Sequence, residues 1–262
     1  MPQFQRIGAS IHYETLGHGP PLLLLAGIAS DGASWGPLLP LLEDDFNLIL
    51  LDNRGAGQTR CEGEIAVDDM VGDCAALLDH LDIAQSFVAG HSMGGMLGQR
   101  LAALHPERVK ALVTMTTSDR IGAKERVLFQ DLAGLYFEME PSRWFRLLFQ
   151  WLFSEPFFGS EENLEAAANA SASYIFRQSP EDFLRQVKAL EKLPEVDLAA
   201  IRCPVLAIAA GADQLIPPVA VERGHRRIAD LTMVTIPAAA HSIHWEAPEA
   251  VAGEITAFLN RK

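Results

Sequence analysis

The sequence predicts an α/β fold: a mostly parallel, twisted sheet with helices on both faces and a helical segment inserted late in the chain. Three observations predict it. Short apolar runs at 22–26, 47–51, 87–89, 111–115, 204–210 and 231–236 are near-continuous, as expected of strands buried on both faces. Stretches with helical spacing separate them, so strand and helix alternate. Between 118 and 195 the pattern changes, no β-rich run appears, and helices broken by Pro141, Pro156, Gly159 and Pro180 are expected.

In chain order, residues 3–16 alternate in places and read as two antiparallel strands with a turn near Gly8-Ala9-Ser10. The run Leu22-Leu23-Leu24-Leu25-Ala26 is a buried strand, followed by the loop Gly27-Ile28-Ala29-Ser30-Asp31-Gly32 and a helix expected over 33–42. A second buried strand, 47–51, leads into Asp52-Asn53-Arg54-Gly55-Ala56-Gly57, where Arg54 is expected to brace the loop by pairing with Asp52. A helix over 66–81 puts Met70, Cys74, Leu77, Leu78 and Leu81 on one stripe. After the 87–89 strand comes a helix that stops at His105-Pro106, then the strand 111–115.

The segment 118–195 holds nine of the 13 phenylalanines, together with Trp144, Trp151, Tyr136 and Tyr174. Most of these rings are expected to pack within the segment and onto the sheet, and a minority to line an apolar cleft below it. It is read as a helical lid over a core made of 1–117 and 196–262. The core resumes with strands at 204–210 and 231–236, a helix over 218–228 between them, and a closing helix over 248–259.

Composition narrows the partners. The chain has 262 residues and a formal net charge of −13. Nucleic acid and anionic membrane surfaces are disfavoured, because phosphate binding needs clustered Lys and Arg. Cys61, Cys74 and Cys203 are scattered and lack metal or disulfide spacing, and Cys74 and Cys203 read as core residues. The stretch Pro2-Gln3-Phe4-Gln5-Arg6 has no apolar signal core, and no apolar run approaches the ~18 residues of a membrane span. A cytoplasmic protein without metal or organic cofactor is expected.

The chemistry centres on Gly90-His91-Ser92-Met93-Gly94. A serine on a sharp turn from strand to helix sits in strained backbone, and glycines at its flanks avoid collisions with neighbouring chain. Three reactive residues follow three separate apolar strands: Ser92, Asp213 and His241. Parallel strands bring their carboxyl ends to one edge, so these residues can meet there. Serine becomes nucleophilic when a base removes its proton. His241 suits that task, and Asp213 would hold the imidazole in one tautomer. The backbone N–H groups of Met93 and Ile28 are the candidate oxyanion donors. His244 is a rival base and Asp119 a rival acid. Ser30, Asp31 and Trp35 are placed either to touch substrate or to cap the helix beside them.

These motifs resemble the α/β-hydrolase family, in the subgroup with a helical lid. The residues that carry the resemblance are Leu24-Leu25-Ala26-Gly27, Asp52 to Gly57, Gly90 to Gly95, Gly211-Ala212-Asp213 with Ile216-Pro217, and His241 with Glu246-Ala247-Pro248-Glu249. They are most similar to the enol-lactonase and carboxylesterase branch. That resemblance implies hydrolysis of a small, partly apolar ester or lactone through an acyl-serine. Gly27, His91, Trp144 and Phe137 are candidate substrate contacts. Many family members carry a histidine where Ala26 stands, so a side-chain brace of the oxyanion loop is missing. Two same-fold alternatives stay open, carbon–carbon bond hydrolysis of diketones and cofactor-free perhydrolysis. A non-catalytic ligand-binding protein is the alternative of another class. Dehalogenases and epoxide hydrolases need a carboxylate nucleophile where Ser92 stands.

Overall fold

The computed structural model describes residues 2–262. Strand β1 (Gln3–Arg6) pairs antiparallel with β2 (Ala9–Gly17). There follow β3 (Pro21–Leu25), the one-turn helix α1 (Leu39–Leu42), β4 (Asn47–Leu51), the short β5 (Arg60–Cys61) and α2 (Val67–His80). Then come β6 (Ser86–His91), α3 (Met93–Leu104) and β7 (Val109–Met115). The inserted segment contributes α4 (Ala123–Glu138), α5 (Pro141–Leu152), α6 (Glu161–Ser173) and α7 (Pro180–Glu191). The chain closes with β8 (Val205–Ala210), α8 (Pro218–His225), β9 (Leu231–Ile236), α9 (Ile243–Glu246) and α10 (Pro248–Leu259).

The sheet runs β1-β2-β4-β3-β6-β7-β8-β9, with β5 paired to β2. From β4 to β9 every pairing is parallel. Successive side chains of a strand point to opposite faces, and the leucine run of β3 uses both. Leu23 and Leu25 join a core with Met70, Cys74, Leu97 and Leu101 of α2 and α3. Leu22 and Leu24 join the opposite core with Trp35, Ile255 and Phe258. Each leucine so buried contributes about 1.5–3 kcal/mol relative to exposure, which is why the central strands tolerate no polar alternation.

Two expectations need correction. The helix expected over 33–42 is a 3-10 turn (Gly32–Trp35) followed, after a break, by α1. Pro37 and Pro40 lack the N–H that a continuous helix would use. Arg54 does not pair with Asp52. Its Nε and Nη2 donate to the two oxygens of Asp73 on α2, at 2.7 and 3.0 Å. Asp52 instead accepts from the Gly32 and Gln58 amides, each at 2.8 Å, and from His12 Nδ1 at 2.9 Å. Sequence proximity favoured Asp52, but in the fold α2 presents a buried carboxylate to the guanidinium fork.

The four inserted α-helices share one aromatic cluster. Tyr136 stacks on Trp144 with centroids 3.7 Å apart, and Phe183 stands edge-on to both. The cluster continues into Ala207, Ala209, Leu215 and Ile216 of the sheet side, so these helices have no core separate from the sheet. They lie over the carboxyl ends of β6, β8 and β9. Among the described residues, no helix is long and apolar enough to cross a membrane.

Candidate active site

Ser92 directly follows β6, whose last residue is His91. Its backbone has φ 52° and ψ −118°, a left-handed value of φ that few side chains adopt without cost. The strain is over-determined by its neighbours. The Ser92 N–H donates to Met115 O at 2.9 Å, and its carbonyl accepts from Thr117 Oγ1 at 2.7 Å and from Gly95 N at 2.9 Å. The glycines of the motif answer to crowding. A Cβ at Gly90 would meet the Gly94 carbonyl, and one at Gly94 would meet the Leu25 carbonyl of the adjacent strand. Strand, turn and helix can close this tightly only with hydrogen at both positions.

The three strand-end residues meet. Ser92 Oγ lies 2.9 Å from His241 Nε2, and His241 Nδ1 lies 2.8 Å from Asp213 Oδ2. A carboxylate only accepts, so Nδ1 donates to it and Nε2 is left as acceptor for the serine O–H. The other Asp213 oxygen accepts the Leu215 and Ile216 amides at 2.8 and 2.9 Å, which fixes the carboxylate. All three side chains are buried. An imidazole held this way can take a proton from the hydroxyl and return it to a leaving group.

His241 is held by its backbone as well. Its carbonyl accepts from His91 Nε2 at 2.8 Å and from Thr116 Oγ1 at 3.1 Å. His91 therefore braces the His241 loop, with its ring 5.1 Å from that of His241, and also borders the cavity beside Ser92. His244 stands 4.4 Å from His91, centroid to centroid, and does not reach Ser92. Burial first, and then neighbouring histidines, hold the pKa of His91 well below the ordinary value and push that of His244 down to about 3. Asp119 is taken by Arg120 at 3.0 Å and has no contact with His241.

The N–H groups of Ile28 and Met93 donate to no other group among the described residues. Met93 opens α3, where the helix dipole adds positive potential. The loop before Ile28 is braced after all: Asn53 Nδ2 donates to Ala26 O at 3.2 Å. Nothing in the sequence pattern distinguished Asn53 for this task. Gly27 lies where a Cβ would stand 3.1 Å from His91 Nδ1 and 3.3 Å from Ser92 Cβ, so its value is space.

A cavity of about 50 Å³ adjoins Ser92 and His241, bounded by Ile28, Phe129, Leu148 and Leu215. It shares Ala29, Ser30 and Trp245 with two larger chambers. One, of about 790 Å³, is lined by Phe145, Phe149, Phe153 and Phe157. The other, of about 290 Å³, is bounded by Tyr136, Tyr174, Arg177 and Gln178. Trp144 borders that second chamber but is fully buried, and its Nε1 donates to Leu132 O at 2.8 Å. Phe137 is not a pocket residue. It is 51% exposed, because α4 turns Tyr136 and Ala133 inward and leaves the next position on the outer side. Ser30 lines all three spaces, Trp35 is core, and Asp31 caps the 3-10 turn through Ala33 N. Asp31 also accepts from Tyr174 at 2.9 Å; burial and then the Asp52 charge raise its pKa to about 6.

Glu246 is a residue whose part the sequence did not disclose. Its carboxylate accepts from Ser154 N and Oγ at 2.9 and 2.6 Å, and from Ala240 N at 2.6 Å. It thereby ties the His241 loop to the inserted helices. The Ser242 amide adds a second tie to Leu152 O at 2.7 Å.

Known proteins bear on this arrangement. A protein of Azorhizobium caulinodans, provisionally named carbamate hydrolase RutD, is 30% identical over 220 residues, 83% of this chain and 82% of that one. An esterase from Thermogutta terrifontis superposes with a TM-score of 0.85 at 26% identity, covering 97% of this chain and 94% of that one. The enol-lactonase from Burkholderia xenovorans LB400 superposes with a TM-score of 0.87 over 99% of this chain and 100% of that one; at 23% identity it speaks for the fold alone. The sequence profile of the α/β-hydrolase fold matches residues 20–248, and with these relatives it establishes that the chain is a hydrolase-type enzyme belonging to the α/β-hydrolase family.

Proposed function

We propose that the protein hydrolyses a carboxylic ester or lactone through an acyl-enzyme on Ser92. The observation that carries this reading is the unbroken relay from Ser92 Oγ to His241 to Asp213, at 2.9 and 2.8 Å. In the first half-reaction Ser92 Oγ attacks the carbonyl carbon while its proton passes to His241 Nε2. The tetrahedral oxyanion accepts from the Ile28 and Met93 amides, worth about 3–4 kcal/mol of barrier each. The carbon–oxygen bond then breaks, and the imidazolium gives its proton to the departing alkoxide. In the second half, water attacks the acyl carbon and yields its proton to His241, and Ser92 leaves as the protonated hydroxyl. Asp213 stabilises the imidazolium in both halves without itself taking the proton.

The name of the Azorhizobium relative supports a second reading in which the acyl group is a carbamate. The same steps serve, with carbamoyl in place of acyl.

The test compares wild type and Ser92→Ala on p-nitrophenyl acetate, butyrate and octanoate, alongside a fluorophosphonate label. Turnover and labelling by wild type alone support the acyl-serine. Equal rates in both proteins, or a label that stays on Ser92→Ala, would overturn it.

A further inference from the structure

The two chambers that open from the Ser92 cavity differ in chemistry. The larger is walled by phenylalanines and presents no unpaired cation. The smaller is bordered by Arg177 and Gln178. Arg177 stands apart from most other buried or half-buried arginines here. Arg54 pairs with Asp73, Arg100 with Asp68, and Arg185 with Asp182. No Asp or Glu among the described residues lies within ion-pair distance of Arg177. Its guanidinium lies 6.0 Å from the Tyr136 ring centre and near that residue's hydroxyl, and its charge also reaches the exposed Glu140 carboxylate. Asp31 in the same chamber is satisfied by Tyr174 and Ala33, whereas Arg177, which borders it, has no carboxylate at ion-pair distance.

We infer that the smaller chamber is a subsite for the remote carboxylate of the substrate, with Arg177 as the residue that selects it. The inference rests on the ester-hydrolase reading above and refines its substrate class: an ester or lactone with an apolar part in the phenylalanine chamber and an anionic end at Arg177. A carboxylate is the group whose planar pair of oxygens matches a guanidinium fork. Gln178 beside Arg177 is committed to the fold, its Nε2 donating to Gly55 O at 2.6 Å. The Asp31 carboxylate, which borders the same chamber, repels an anion and so favours one that keeps to the Arg177 end.

The test pairs anionic and neutral esters of equal length. On the acyl side these are p-nitrophenyl monoesters of adipic and suberic acid against their methyl-capped mates. On the alcohol side they are butyrate esters of ω-hydroxy acids against the corresponding methyl esters. The ratio of kcat/KM, anionic over neutral, is measured in wild type, Arg177→Gln and Arg177→Lys. The expected result is a ratio above one in wild type for at least one series, about tenfold lower in Arg177→Gln and partly restored in Arg177→Lys. A wild-type ratio of one or below in every series, or a ratio unchanged by Arg177→Gln, overturns the subsite while ester hydrolysis stands. Absence of turnover on all mates, neutral and anionic, overturns the ester reading and the subsite with it. Because the readout is a ratio within each protein, partial misfolding of a variant does not imitate the effect.

Discussion

At the scale of single residues, Ser92, His241 and Asp213 form one unit rather than three contributors. Ser92→Ala and His241→Ala are each expected to lower kcat at least ~10³-fold, with the double variant little worse than either. Near-additive losses in steady-state kinetics would count against a shared proton path. The neighbouring histidines give a second expectation, one of stability. His91 and His244 are held neutral by burial, so their folded pKa values lie below those of the unfolded chain. The unfolded state binds more protons in acid. Their contribution is fully present above the unfolded value, near ~6.5, and is lost as pH falls from there toward about 3 for His244. Asp31 works in the opposite sense between its unfolded range and about 6, where the folded state holds the extra proton. Urea unfolding at pH 6, 5 and 4 should therefore steepen less in His244→Leu than in wild type, by about 1.4 kcal/mol per pH unit. An identical slope in both proteins would mean that His244 is protonated in the fold.

Elements position these residues, and one joint between elements matters most for chemistry. The His241 loop hangs between β9 and α9, and Glu246 and Ser242 fasten it to Leu152 at the end of α5 and to Ser154 just beyond it. Glu246→Ala removes three hydrogen bonds at that joint. We expect kcat to fall about tenfold with little change in KM, since a base displaced by a fraction of an ångström loses its line to Ser92. A rise in KM at constant kcat, read from full saturation curves, would place Glu246 in substrate binding instead. The sequence marked this glutamate only as part of a motif. Its role was illegible because it acts across 92 residues of chain, on Ser154. The same distance hid Asn53, whose amide braces Ala26, and Asp73, which took Arg54 from the nearer Asp52. What was legible at this scale came from local rules: leucine runs that cannot alternate, glycines where backbones collide, prolines where helices break.

Across the whole molecule, the order of strands brings Ser92, Asp213 and His241 to one sheet edge, and that much followed from three residues standing just after three apolar runs. Pocket shape did not follow. Phe137 and Trp144 are both aromatic residues of the inserted helices, yet one faces solvent and the other is sealed in the core. Helical phase decides between them, and phase depends on which neighbour each helix meets. Arg177 was equally silent, because an arginine's lack of a paired carboxylate exists only in three dimensions.

The four inserted helices are not equally fastened. The α5 end is pinned by Glu246 and Ser242, and the α7 side by Gln178 and Gln186, whose amides donate to the Gly55 and Arg54 carbonyls at 2.6 and 2.7 Å. Between them α6 buries only Leu164 and Ala168. Ala170 and Ser171 near its end border both larger chambers. This helix is held chiefly by its packing on α5 and by the Arg146–Glu161 ion pair at 2.7 Å. Deuterium uptake should be faster across α6 than across α5 and α7, and a bulky ester should slow it. Faster uptake there would make α6 the route for substrate and product, and the turnover of large substrates would then follow how often that single helix gives way.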